Sequence, residues 1–508
     1  MITNVLEYLE KSAEKYPEKL AFVDEHEGYT YDVLKNYGHA IGTKIAEYHM
    51  IRKPVVVYLE KSVRVIASFV GILYSGNFYC PIDTSMPLER VRTILTTLES
   101  CVIITDETHA EIISSVVPDR DLLLYDEIIS GGKNLELLND IRREITDMDP
   151  IYVLFTSGST GVPKGVVISH QSVIEYTEWV TETFDITERD SFGNQAPFYF
   201  DNSILDIYCG LKNSATVYII PQICFSFPKK LLEYLNEKRI TTIFFVPSVL
   251  CLVARIKGAL SKIQLTTVKK ILFCGEVMPN KHLNIWRKYM PKALFANLYG
   301  PTEITDVCTY YIVDREFDDD EPLPIGKACR NTSYVILNEK REAALKGEVG
   351  ELCIKGRSLA LGYYKNFQKS NEVFIQNPLN HEYRELIYCT GDLVRVNERG
   401  EIIYLGRKDY QIKHLGHRIE LGEIEVAAGG IEGIETCACI YDDEKQKIVF
   451  YYKGKNYENV LLKEYLKKKI PEYMLPDTII EIEEFPYNPN GKIDKKNLKD
   501  MYLTRKEK

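Results

Sequence analysis

Short β-rich runs alternate with helical stretches through the first half of this sequence, and that alternation narrows the available folds more than any other feature. PVVVYL at 54–59, IYVLF at 151–155, TVYII at 216–220, TTIFF at 241–245 and KILF at 270–273 are dominated by β-branched, aromatic and other apolar residues. Such runs suit strands buried on both faces. Between them lie amphipathic segments such as LERVRTILTTLE at 88–99. Strands separated by helices predict an α/β fold of layered, largely parallel sheets. From about Gly347 shorter strands such as GELCI and EIIYL, with tight glycine turns, predict an antiparallel β subdomain. A last block after GRKD at 406–409 holds the strand KIVFYY at 447–452 and the helix ENVLLKEYLKKKI at 458–470. The expected organisation is a large N-terminal domain over 1–407 and a small α+β C-terminal domain over 408–508, with a hinge near Asp409.

The chain has 508 residues, which exceeds what one core supports and calls for at least two domains. With 73 acidic against 63 basic residues the net charge is −10, and no long basic run offsets it. A nucleic acid or an anionic membrane is therefore not expected as the main partner. The apolar helix from Val63 to Tyr74 spans 12 residues, too few to cross a bilayer. The N-terminal stretch lacks the basic and apolar regions of a secretory signal. Twelve cysteines are scattered from Cys80 to Cys439 without a C-x-x-C pair. That pattern argues against a zinc site or redox motif and fits reduced thiols in a cytoplasmic enzyme.

The sharpest chemical signal is Thr156-Ser-Gly-Ser-Thr-Gly-Val-Pro-Lys-Gly165, directly after IYVLF. Gly158 and Gly161 allow backbone N–H groups to turn toward an anion. The hydroxyls of Thr156, Ser157, Ser159 and Thr160 add donors, and Lys164 adds a positive charge, so the loop suits a triphosphate. It is not a Walker A loop, because Pro163 precedes the lysine and Gly165 follows it.

Five further motifs follow in order: Tyr299-Gly-Pro-Thr-Glu303, Tyr388-Cys-Thr-Gly-Asp-Leu393, Gly406-Arg-Lys-Asp409, the run 416–425 and Asn490-Gly-Lys492. With the loop, they make the chain resemble the superfamily of acyl-CoA synthetases, luciferases and nonribosomal peptide adenylation domains. The resemblance implies a ligase that uses ATP and Mg²⁺ to activate a carboxylate as an acyl-AMP and then passes the acyl group to a thiol. Glu303 offers the hard oxygen that Mg²⁺ prefers, and with Thr156 it joins the catalytic set. Tyr299 would lie against adenine. Asp392 would accept hydrogen bonds from the ribose hydroxyls, and Arg407 would approach the same nucleotide. Asn297, Leu298, Gly300, Thr302 and Tyr404 complete the implied nucleotide contacts. Lys492, by its local sequence a solvated turn lysine, becomes through the resemblance the cation that stabilises charge built up at the α-phosphate. The same family implies a mobile C-terminal domain that pivots at Asp409 between the two half-reactions.

Phe200-Asp-Asn-Ser203 resembles the F-D-x-S motif of amino-acid-activating members, whose aspartate pairs with the substrate ammonium. The substrate-binding positions carried over by motif spacing are Asp201, Asn202, Leu205, Phe244, Leu272, Cys274, Leu298, Asp306, Val307 and Lys492. They imply a small, mostly apolar cavity. The segments 194–198 and 273–277 look most like D-alanine–carrier protein ligases, while Leu298 and Asp306 depart from them. A carboxylate at 306 that faces the cavity must be paired, with a donor on the substrate side chain as the expected partner; the alternative is that it points away and pairs locally. Only sixteen residues follow Lys492 and no Gly-x-x-Ser phosphopantetheine site is visible. The expected acceptor is accordingly a separate phosphopantetheinylated carrier protein. Free coenzyme A is the alternative thiol, and a non-catalytic nucleotide-binding regulator is the alternative of a different class.

Overall fold

The computed structural model describes residues 2–99, 102–158, 161–454, 457–487 and 493–505. The chain forms two compact units: Met1–Thr84, Ser100–Leu154 and Gly165–Gly406 in one, and Ser85–Glu99, Phe155–Lys164 and Arg407–Lys508 in the other.

A nine-stranded sheet in the first unit runs in the order Lys327–Ala328, Thr309–Ile312, Leu294–Tyr299, Lys270–Phe273, Thr242–Phe245, Ser191–Asn194, Thr216–Ile219, Leu20–Val23 and Gly28–Thr30. Its six middle strands are parallel, as alternation with helices predicts. Both edges are antiparallel; two of the links, 24–27 and 300–308, are too short to hold a crossover helix. A seven-stranded sheet places Pro150–Thr156 between Lys164–Ser169 and Phe78–Pro81, with Pro54–Tyr58 beyond. All five residues of Pro54–Tyr58 are buried, which is why that run is continuously apolar rather than alternating.

Alternation along the strands sorts side chains between two cores. Phe244, Leu272, Ala296 and Leu298 enter the larger apolar cluster, whereas Ile243, Phe245, Ile271, Phe273 and Phe295 enter a second one. Full burial of each leucine, isoleucine or phenylalanine among them stabilises the fold by about 1.5–3 kcal/mol. A separate sheet pairs Thr332–Leu337, Gly350–Gly356, Leu386–Val396 and Phe374–Gln376 antiparallel, and Ile402–Arg407 adds to Leu386–Val396.

In the second unit Ile434–Asp442 pairs antiparallel with Lys447–Gly454, which pairs parallel with Thr478–Glu481. Cys439, Ile448, Phe450 and Tyr452 pack with Ile424, Leu462 and Leu466 of two helices. The alternate residues Ala438, Ile440, Val449 and Tyr451 pack with Leu498 and Tyr502 of the helix Lys495–Arg505. Among the described residues no helix is long and apolar enough to cross a membrane.

Candidate functional site

The strand Pro150–Thr156 delivers the chain into the glycine-rich loop. Gly161 has φ of +80°, in the left-handed region that glycine enters without a steric penalty. A Cβ on Gly158 would lie 2.0 Å from the Val162 carbonyl oxygen. Both positions therefore demand glycine, and the turn closes with the Gly161 N–H donating to the Gly158 carbonyl at 2.9 Å. Thr156 Oγ1 approaches the Lys164 carbonyl at 3.5 Å. Ser157 Oγ donates to the Arg418 carbonyl at 2.8 Å and accepts the Glu420 N–H at 3.2 Å. A glycine-rich turn of this kind, with hydroxyls and a lysine along it, has the donor chemistry to hold the phosphates of a nucleotide. Ser159, Thr160 and Lys492 lie outside the described residues.

The strand Leu294–Tyr299 carries Asn297, Leu298 and Tyr299 to a tight turn at Gly300, where a Cβ would stand 2.2 Å from the Asp306 carbonyl oxygen. Asn297 Nδ2 donates to the Pro324 carbonyl at 2.8 Å. The short 3-10 helix Thr302–Ile304 follows and buries Glu303 completely. Tyr363 Oη donates to Glu303 Oε1 at 2.7 Å, so the hard oxygen donor that suits Mg²⁺ is oriented by a tyrosine from a distant strand. The Tyr299 hydroxyl donates to Asp392 Oδ2. Burial first, and the Asp392 charge second, push the Tyr299 phenol up, so it remains a donor. The Tyr404 ring lies 6.4 Å from that of Tyr299. Tyr299, Asp392 and Tyr404 are thus gathered at one place in the first unit, with one carboxylate oxygen of Asp392 already engaged by Tyr299. In the second unit Arg407 grips Asp409 with two hydrogen bonds of 2.6 and 2.7 Å. Burial raises the Asp409 carboxyl, but the Arg407 guanidinium outweighs it and holds the group below its ordinary range.

Asp201 and Asn202 stand just before the helix Ser203–Asn213. Asp201 is only 8% exposed; its Oδ1 accepts the Asn202 N–H at 3.1 Å and its carbonyl accepts the Ile204 N–H at 2.8 Å. Phe244 sits in register with Leu272, and Leu272 with Ala296. Leu205, Phe244, Leu272, Cys274, Leu298 and Val307 all belong to the same buried cluster, so sheet and helix bring the apolar positions together. Asp306, with φ of +68°, is 1% exposed. Of the two partners open to it, a substrate donor or a local one, the protein supplies a local one: Tyr176, on the helix His170–Thr183, donates from Oη to Asp306 Oδ2 at 2.5 Å. The protein itself supplies a donor, which makes the buried carboxylate tolerable without substrate.

Tyr152 completes this group. It is fully buried, and among the described residues its hydroxyl has no hydrogen-bond partner. Burial, followed by the charges of Asp201 and Asp306, pushes its phenol up. Tyr152, Tyr176 and Tyr363 were missed by motif reasoning. Tyr152 reads as a strand residue of IYVLF and Tyr176 as part of an amphipathic helix, and neither carries a local signal.

The AMP-binding enzyme family matches residues 9–364. The chain is 31% identical to zwittermicin A synthase ZmaJ of Bacillus cereus, over 98% of this chain and 95% of that one. It is 31% identical to the D-alanine–D-alanyl carrier protein ligase of Bacillus licheniformis, over 98% and 99% of the two chains. Three other matched relatives are much longer, and the chain spans 9%, 45% and 44% of their lengths. The fold is that of the Vibrio cholerae adenylation domain AlmE, solved in complex with glycyl-adenosine-5'-phosphate, with a TM-score of 0.82 at 21% identity over 99% and 98% of the chains. The chain belongs to the AMP-binding enzyme family and is an adenylate-forming ligase.

Proposed function

We propose that the chain activates a small amino acid as its aminoacyl-AMP and transfers the aminoacyl group to the phosphopantetheine thiol of a separate carrier protein. The observation that carries this reading is Asp201, a carboxylate held 8% exposed at the start of a helix whose Leu205 packs with Phe244, Leu272 and Leu298. A buried carboxylate beside an apolar wall favours a ligand that brings an ammonium group, and it penalises the same acid without one. The D-alanyl carrier protein ligase and the glycyl-adenylate bound to AlmE support both a small amino acid and a carrier acceptor.

In this reading Thr156, Ser157, Gly158, Gly161 and Lys164 hold the triphosphate, and Tyr299, Asp392 and Tyr404 hold the nucleoside. Glu303, oriented by Tyr363, would hold Mg²⁺, which when bound neutralises phosphate charge. Asp201 fixes the ammonium end of the substrate, so that its carboxylate points to the α-phosphate. Lys492 stabilises the negative charge that develops as those two anions meet. The C-terminal segment 408–508 then moves about Asp409 to admit the thiol.

The test supplies ATP, Mg²⁺ and an amino acid together with either a phosphopantetheinylated carrier protein or free coenzyme A, and weighs the acceptors by mass spectrometry. The carrier protein should gain the aminoacyl mass. Acylation of coenzyme A alone would contradict the assignment.

A further inference from the structure

The antiparallel sheet of the first unit holds a side-chain group that nucleotide activation does not use. In the register of Gly350–Gly356 with Leu386–Val396, Cys353 stands directly opposite Cys389. Their sulfurs are 3.6 Å apart. Glu351, two residues before Cys353 and so on the same face of the strand, completes the group. One oxygen of Glu351 and the two sulfurs all lie within 4.8 Å of one another, and among the described residues this is the one cluster of three such ligand atoms. Cys353 is buried, while Glu351 and Cys389 are partly exposed, which shields one side of the cluster and leaves an approach on the other.

The sulfur separation is informative. Two thiolates bound to one tetrahedral Zn²⁺, each at about 2.3 Å, stand roughly 3.8 Å apart, whereas disulfide sulfurs are about 2.05 Å apart. The pair is thus spaced as chelating thiolates are, and a carboxylate is the third ligand type that Zn²⁺ accepts. Lys355, next along the same face, is neutralised by Glu385 at 2.8 Å, so it does not oppose a cation with a bare charge. We propose that Cys353, Cys389 and Glu351 form a site for one thiophilic divalent cation of the Zn²⁺ class, with water as the fourth ligand. On binding, each thiol releases its proton to solvent, two protons leave per cation, and no oxidation state changes.

The site lies beneath a break in the ladder. The register shifts between Glu351 and Cys353, and opposite it Thr390, Gly391 and Asp392 bulge outward. Glu351 Oε1 accepts the Gly391 N–H at 2.9 Å, Thr390 Oγ1 donates to the Leu352 carbonyl at 2.7 Å, and the Asp392 N–H donates to Thr390 Oγ1 at 3.0 Å. A cation joining Cys353, Cys389 and Glu351 would therefore brace the two strands where they present Asp392.

The experiment titrates reduced, metal-free protein with Co²⁺, follows the thiolate-to-cobalt charge-transfer band, and measures Zn²⁺ affinity by competition. One equivalent should bind with the band and visible transitions of a tetrahedral cobalt thiolate. Glu351→Gln should weaken Zn²⁺ binding by at least the ~10–100-fold typical of lost outer-shell partners. Cys389→Ser should abolish the band, and Cys437→Ser should leave it intact. Zn²⁺ should also raise the melting temperature of the wild type and not of Cys389→Ser, a comparison that does not depend on the buried Cys353 variant folding. Absence of a thiolate band in the wild type, its persistence in Cys389→Ser, or an equal Zn²⁺ effect on both proteins would overturn the proposal.

Discussion

Asp306 and Tyr176 are separated by 130 residues in sequence, yet they form a 2.5 Å hydrogen bond inside the first unit. Tyr176→Phe removes the donor and leaves a buried carboxylate less satisfied, which should cost about 1–3 kcal/mol in unfolding free energy. Asp306→Gly is the matching change at the other end, because valine or alanine would be strained at φ of +68°. A double-mutant cycle by chemical denaturation should give a coupling of ~0.5–3 kcal/mol; simple additivity would show that the two groups do not depend on each other. Asp206, on the helix that follows Asp201, makes a pH prediction. Burial pushes its carboxyl up from 3.8 to about 7, against the downward pull of the Asn194 amide and Lys61. Between those values the folded chain keeps a proton that the unfolded chain has released, so stability falls as pH rises through the window. Asp206→Asn cannot titrate, and its stability relative to wild type should therefore climb from about pH 4 to about 7 and then level off. A difference that is flat with pH would contradict the burial argument.

The elements show what sequence patterns carry and where they stop. The helix Val63–Tyr74 and the strand Lys270–Phe273 have the bounds that their apolar runs predict, because both are set by local periodicity and burial. The glycine-rich loop was equally legible, since its glycines answer steric demands within five residues of one another. Gly158→Ala places a Cβ 2.0 Å from the Val162 carbonyl oxygen and must reshape the loop. The KM for ATP should rise by about tenfold or more, measured by initial rates; an unchanged KM would remove the loop from the phosphate site. Pairings across sheets were not legible. Tyr363 with Glu303, Tyr299 with Asp392 and Cys353 with Cys389 are 60, 93 and 36 residues apart. Their meeting depends on strand register, which no spacing rule in one sequence reveals. Cross-strand cysteines such as Cys353 and Cys389 need no short spacing, so a C-x-x-C search does not register them.

At the scale of the molecule, the compact units part between Gly406 and Arg407, two residues before the proposed pivot Asp409. Asp409→Pro fixes φ and removes the acceptor that Arg407 holds with two hydrogen bonds. Thiol loading should fall by about tenfold or more relative to adenylate formation when the two half-reactions are assayed separately; equal losses would place the pivot elsewhere. In the proposed function the carboxylate of Asp201 selects an amino acid for adenylation. The direct measurement is ATP–pyrophosphate exchange, driven in parallel by small D- and L-amino acids and by the same acids lacking the amino group. Exchange should occur with at least one small amino acid, should be absent with its deaminated counterpart, and should be lost in Asp201→Ala. Equal exchange with the deaminated acid, or full exchange in Asp201→Ala, would contradict that selection.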